Sequence, residues 1–392
     1  MTTVEKKLIG FCEKHLDILV VSALTLLSIL VRYGVRDVLS GDASLFLLPW
    51  YEEIKDGGGF KALEYQVGNY NMLYQTLIAL LSYLPIAPLY AYKILSLFFD
   101  YCLAVVVGVL AYQFSVHNKK WKGIFAYIAV ILSPIVILNS SAWAQCDSIY
   151  VCFALMALLM MCREKYVPAF LFLGAAFSFK LQAVFLLPFF LFAYIWRKRF
   201  SILHFLIIPV TMCVLNLAGV IMGRSFLDIF TIYLKQTGEY PDLAQNYPSV
   251  WCLLVGDHGW DYYWYLNKAG ILFTVAILLI LLTYFYLKKI EWNPHNLVYI
   301  AFLSSYACVL FLPAMHERYG YLYEILAIVI LIWKKETVVL FVPMYCLTLL
   351  TYAYYLFNTT TKASTVAALV NIVVYLGYLF LLTREMSAKK NT

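Results

Sequence analysis

Some twelve long apolar runs, several of them closed by a short cluster of Lys and Arg, leave this chain essentially one kind of fold. Crossing the roughly 30 Å hydrocarbon layer of a bilayer as a helix takes about 17 to 25 apolar residues. Runs near that length lie at 16–33, 88–114, 123–140, 147–162, 166–179, 183–196, 201–221, 269–287, 296–312, 320–333, 337–357 and 363–383. Composition agrees: 64% of the residues are hydrophobic and 13% charged, where a soluble domain has about half and a quarter. The expectation is an all-α polytopic membrane protein of about 12 transmembrane helices. It forms a single integral membrane domain over 1–392, with no separate soluble domain and no repeat at a fixed period.

The basic clusters orient it. With the N-terminus inside, Lys119, Lys120 and Lys122, then Arg163 and Lys165, Arg197 to Arg199, Lys288 and Lys289, Lys334 and Lys335, and finally Arg384, Lys389 and Lys390 all fall on the cytoplasmic side, as basic loops of membrane proteins do. The net charge of +7 is therefore an orientation signal, and nucleic acid is excluded as a partner. Lys6, Lys7 and Lys14 precede the first run, but no small-residue cleavage site follows, so an uncleaved first span is expected. Both termini are then cytoplasmic, and a bacterial plasma membrane is the expected location. The 33 Tyr and 27 Phe suit a chain that repeatedly meets the headgroup level. Nine scattered Cys, most within apolar runs, form no metal-ligand spacing and read as packing residues.

The outer side receives two long segments, 34–87 and 222–268, and short turns at 141–146, 180–182, 313–319 and 358–362. In the first segment NMLYQTLIALLSYL at 71–84 is too short to span easily, which predicts an interfacial or re-entrant helix. Gly57, Gly58 and Gly59 before it permit a tight turn.

Ionisable groups in apolar surroundings are costly and therefore mark candidate sites. Asp42, in GDASLFLLPWYEE, follows the first span. WAQCD places Trp143, Gln145 and Asp147 at one outer turn, FSFKLQ places Lys180 and Gln182 at another, and MHERYG places His316, Glu317, Arg318 and Tyr319 at a third. Carboxylates with a Lys and an Arg on one face suit transfer of a sugar from a lipid phosphate. Asp42 would take the proton of the attacking hydroxyl. Arg318 and Lys180, with His316 beside them, would hold the departing phosphate. Asn246 and Trp251, in the second long segment, are candidate sugar contacts, along with Trp143, Gln145, Asp147, Gln182, Glu317 and Tyr319.

These same segments, Asp42 with the interfacial stretch after it, WAQCD at 143–147, FKLQ at 179–182, NYPSVW at 246–251 and MHERY at 315–319, resemble the GT-C superfamily of membrane glycosyltransferases. The resemblance is to bacterial mannosyltransferase-like proteins related to the second mannosyltransferase of GPI-anchor assembly, and it spans most of the chain through short motifs. It implies an inverting enzyme that moves a hexose, mannose by the family's habit, from a polyprenyl-phosphate donor to a glycan or glycolipid acceptor on the extracytoplasmic face. Asp42 then matches the catalytic acid of the first loop, and the HERY turn a segment near the donor phosphate. Many members have two acids in the first-loop motif, whereas here Ser40 and Ser44 flank Asp42. A Mg²⁺ or Mn²⁺ ion at Asp42 stays open beside action as a base alone, with Glu52 or Glu53 as a second ligand.

Blander roles compete. Asp42 could cap the helix that begins at Ala43, Arg318 and Lys180 could anchor span ends among headgroups, and Gln145 and Asp147 could bond neighbouring helices. Trp251 could belong to the interfacial aromatic belt. Lys93 and Asp100, seven apart on one helix face, read as a structural pair. Asn139-Ser140-Ser141 and Asn358-Thr359-Thr360 match glycosylation acceptors at span ends. His316-Glu317 lacks the second His of a zinc protease. A transporter or flippase of lipid-linked sugars is the alternative function, although the polar residues gather at outer turns and not at the midplane.

Overall fold

In the computed structural model, residues 1–236, 241–255, 262–357 and 364–388 are described. Lys389, Lys390, the Asn358-Thr359-Thr360 site and parts of the second long segment lie outside the described residues.

The apolar runs form helices whose ends are set by local chemistry. Helix α1 (Thr3–Lys14) opens on a capping box from Thr2 and Glu5, and His15 separates it from α2 (Leu16–Gly34). The first long segment holds a π-helical turn at Ala43–Leu47, then α3 (Leu48–Asp56) and α4 (Met72–Leu81). Pro88 starts α5 (Pro88–Phe114), a position where its missing N–H costs nothing. Helices α6 (Lys119–Ile131) and α7 (Pro134–Ile137) follow, and α7 runs on into a π-helical turn at Leu138–Ala142. Then come α8 (Asp147–Cys162), α9 (Tyr166–Phe179), α10 (Leu187–Arg197), α11 (Ile207–Leu215), α12 (Leu217–Ile221), α13 (Asp228–Gln236), α14 (Trp251–Leu254), α15 (Tyr263–Leu287), α16 (Pro294–Phe311), α17 (Tyr321–Trp333), α18 (Val338–Phe357) and α19 (Thr365–Ala388).

Helix α5 packs on α6 and α8, α8 on α9, and α9 on α11, while α16 joins α15, α17 and α19. Every residue from Asn296 to Leu310 of α16 and from Tyr321 to Ile330 of α17 is buried. Helices apolar all round belong in such a centre.

The span count differs from expectation. Among the described residues six helices are long and apolar enough to cross a membrane, and 119–131 with 134–142, bent by 43°, makes a seventh if it is one broken span. The other five expected spans fall on helical stretches of 10–17 residues. Hydropathy registers how apolar a run is, and a short helix sheathed by its neighbours is as apolar as a crossing one. The stretch 71–84 is a helix of 10 residues.

Lys93 and Asp100 do not pair. Asp100 is bonded by the Arg32 guanidinium at 2.6 Å, both groups being fully buried, and Arg32 also donates to the Ser140 and Ser141 hydroxyls at 2.8 and 3.0 Å. Lys93 donates instead to the carbonyls of Arg36 and Val38 at 2.8 and 2.7 Å, tying down the backbone just before Asp42. The two long segments meet as well. The Asn71 side chain caps α4 through Met72 N–H at 2.8 Å and donates to the Ile229 carbonyl of α13 at 3.1 Å. A two-residue parallel ladder, β1 (Ala244–Gln245) with β2 (Met315–His316), joins the second segment to the turn after α16.

Candidate active site

Asp42 sits at the start of the π-helical turn, and its side chain does not cap it. Ser40 takes that role, accepting from Ala43 N–H at 3.1 Å while donating to the Trp143 carbonyl at 2.9 Å. The Asp42 carboxylate is thereby released to face the other turns. Its Oδ2 accepts from Trp143 Nε1 at 2.9 Å, Gln145 Nε2 at 2.8 Å and Arg318 Nη2 at 3.4 Å. Its Oδ1 has no hydrogen-bond partner among the described residues.

The turn from 138 to 147 explains why Trp143 and Gln145 reach the same oxygen. Trp143 N–H closes the π-turn on the Leu138 carbonyl, and Gln145 N–H returns to the Asn139 carbonyl, both at 2.9 Å. Between them Ala144 adopts φ +65°. Asp147 then opens α8, where a carboxylate suits the positive helix end. It accepts from Asn139 Nδ2 at 2.9 Å and pairs with Lys180 Nζ. Lys180 lies 5.8 Å from the Tyr70 ring, whose hydroxyl donates to Gln145 Oε1 at 3.4 Å.

Arg318 connects the carboxylates. Besides Asp42 it stands 3.9 Å from Asp147 and 3.6 Å from Glu317, with its guanidinium 5.4 Å from the Trp143 ring centre. Asp42 and Arg318 side chains are 20% and 15% exposed, against 1% for Asp147 and 7% for Lys180. Any ligand therefore meets Asp42 and Arg318 first, while Lys180 is committed to Asp147 behind them. Burial opposes charge on Arg318, but the Asp147 and Asp42 carboxylates more than offset it and raise its pKa further. His316 is pushed down to about 3 by burial and by the positive charges of Arg318 and Lys180. It faces a ligand as a neutral imidazole. Burial pushes the Glu317 carboxyl up to about 7 against the pull of Arg318, and its Oε2 has no hydrogen-bond partner among the described residues.

Two further expected contacts separate here. Asn246 reaches the cluster's edge by a backbone bridge to His316, while its side chain donates to the Thr351 carbonyl at 3.5 Å. Trp251 does not: its indole donates to the Phe311 carbonyl at 2.9 Å and fills the space over Gly270, as a packing residue would. Gln182 lines the wall, its Oε1 without a partner among the described residues, and Tyr319 lies between Phe185 and His316, at ring distances of 6.3 and 5.1 Å. Ser40 and Tyr70, which orient the cluster, carry no sequence signal that separates them from ordinary interfacial Ser and Tyr, and Asn139, which matched a glycosylation acceptor, is instead fully buried on Asp147. Tyr352 and Tyr355, packed on Trp143 at 5.2 and 5.4 Å, read in sequence as belt aromatics.

Glu52 and Glu53 are exposed on α3. The groups around Asp42 are N–H donors and a guanidinium, whereas Mg²⁺ and Mn²⁺ want oxygen lone pairs. This donor set fits an anion and does not fit a divalent cation. Among the described residues no group of three or more His, Cys, Asp or Glu could hold a metal ion.

Residues 69–196 match the family model described as alpha-(1->6)-mannopyranosyltransferase, N-terminal domain. The match supports a mannosyltransferase-like protein of the GT-C type. It covers about a third of the chain and takes in Tyr70, Trp143, Gln145, Asp147, Lys180 and Gln182. Asp42 and the 315–319 turn lie outside it. No curated protein matches the chain.

Proposed function

We propose that this protein is an inverting glycosyltransferase that moves a hexose, mannose by the matched family's description, from a polyprenyl-phosphate donor to a glycan or glycolipid acceptor on the extracytoplasmic face. The observation that carries the reading is the pairing of one partly exposed carboxylate with one partly exposed guanidinium, Asp42 with Arg318, at the meeting point of turns from four parts of the chain.

In the step envisaged, the acceptor hydroxyl attacks the anomeric carbon as Asp42 Oδ1 takes its proton. The bond from that carbon to the phosphate oxygen breaks on the opposite face, and the electron pair leaves with the polyprenyl phosphate. Arg318 holds the charge that grows there, bidentately where geometry allows. Lys180 acts through Asp147, keeping a second carboxylate beside Arg318 and so keeping the guanidinium in place. Neutral His316 contributes an N–H or a lone pair, not charge. Trp143 and Gln145 fix the Asp42 oxygen that is not used.

The test is transfer in nanodiscs from radiolabelled polyprenyl-phosphate mannose to membrane-extracted acceptor lipids. Asp42→Asn should lower turnover by roughly 10²–10⁴ while donor binding and folding persist. Equal turnover by both proteins would sink the assignment of Asp42. Donor movement across the membrane without transfer, unaffected by Asp42→Asn, would favour a transporter.

A further inference from the structure

The first helix carries an apolar stripe that the described residues leave largely uncovered. Val4, Leu8 and Phe11, with Cys12, recur at i, i+4, i+7 and i+8, the spacing of one helix face. Val4, Leu8 and Phe11 are 76%, 62% and 56% exposed, and no residue of α1 is buried. Lys7 and Lys14 border this stripe on one flank, and Lys6 lies opposite it. A helix of 12 residues is marginal in water on its own, and a capping box only sharpens its start. Something must cover the stripe if the helix is to persist.

The surroundings say what. One residue, His15, separates α1 from α2, whose apolar surface is itself largely exposed, as lipid-facing helices are. Asp17 at the start of α2 pairs with Lys120, which brings the Lys119, Lys120 and Lys122 cluster of α6 beside the end of α1. Six lysines, against the three acids Glu5, Glu13 and Asp17, thus lie on the side where α2 would leave the bilayer. Basic clusters of this size next to a membrane span attract anionic lipid headgroups, at about a fivefold gain in binding per Lys.

We propose that α1 is an in-plane anchor, its Val4, Leu8 and Phe11 stripe sunk among the headgroups and its lysines on anionic phospholipid. The assignment is independent of the sugar chemistry, because the candidate active site lies beyond the far end of α2, about 28 Å along the helix axis.

Hydrogen exchange of residues 3–14 in the full chain, reconstituted singly in nanodiscs, reads the contact directly. The helix should exchange at least about 25-fold more slowly in discs containing phosphatidylglycerol than in pure phosphatidylcholine, the share of Lys6 and Lys7 alone at about fivefold each. Leu8→Gln with Phe11→Gln should abolish protection in both. Lys6→Gln with Lys7→Gln should shrink the difference between lipids by about 25-fold and leave the protection in phosphatidylcholine unchanged. Fast exchange in every disc, or protection indifferent to both double variants, would overturn the anchor. Protection that appears only when two copies share a disc would overturn it in favour of a second copy of the chain.

Discussion

Three donors share one oxygen of Asp42, and only one of them, Arg318, is charged. If that guanidinium also receives the donor phosphate, Arg318→Ala should weaken binding of a polyprenyl-phosphate sugar about tenfold or more, and Arg318→Lys should recover little, since a point charge cannot replace the planar fork. Asp42→Asn should leave the same binding nearly intact, so equal losses in both variants, read by tritiated-donor binding, would refute the division of labour. Glu317 supplies a pH signature. Burial holds its carboxyl at about 7 against an ordinary value of 4.5, so the folded chain binds this proton more tightly than the unfolded one. Its contribution to stability is fully present below pH 4.5 and is lost as pH rises through 7. Thermal unfolding of the wild type should therefore decline relative to Glu317→Gln across that window. A flat difference would place the ionised carboxylate on Arg318. These residues were visible in the sequence because charged and amide groups stand out in apolar surroundings. The roles of Ser40 and Asn139 were not, because they lie in which backbone N–H or carboxylate each touches.

Between helices, the buried Arg32–Asp100 pair links α2 to α5 and, through Ser140 and Ser141, to the turn that presents Trp143 and Gln145. Removing one partner strands the other charge. Asp100→Leu should cost about 3–5 kcal/mol, and the double change Arg32→Met with Asp100→Leu should recover most of it, as unfolding in mild detergent would record. Failure of the double variant to recover would mean that the serine contacts, not the ion pair, hold the turn. Sequence reading paired Asp100 with Lys93 because seven residues return to the same helix face. The competing partner lay 68 residues away, a separation that local periodicity does not sense. Helix positions themselves were largely legible, since long apolar runs dictate them. Which of those helices are crossings was not, because burial by protein and burial by lipid favour the same residues.

For the whole molecule, the expected orientation makes a direct prediction. A membrane-impermeant maleimide should reach Lys120→Cys and Tyr83→Cys from opposite sides of sealed vesicles, judged against the unsubstituted chain. Labelling of both from one side would invert the first long segment and remove the extracytoplasmic reading with it. The short helices bear on the bilayer itself. Helix α9 and the stretches 181–197 and 202–215 run only 14 to 17 residues, about 21 to 26 Å, yet Leu171, Leu191, Val210 and Val214 stand exposed along them. A hydrocarbon layer of about 30 Å meeting this flank must compress to match it, at a modest elastic cost per ångström. Lys180 and Gln182 sit at the junction of two of these helices. The leaflet would dip beside them into a shallow dimple, and a lipid drifting along it would bring its headgroup down to the level of the recessed carboxylates without leaving the membrane.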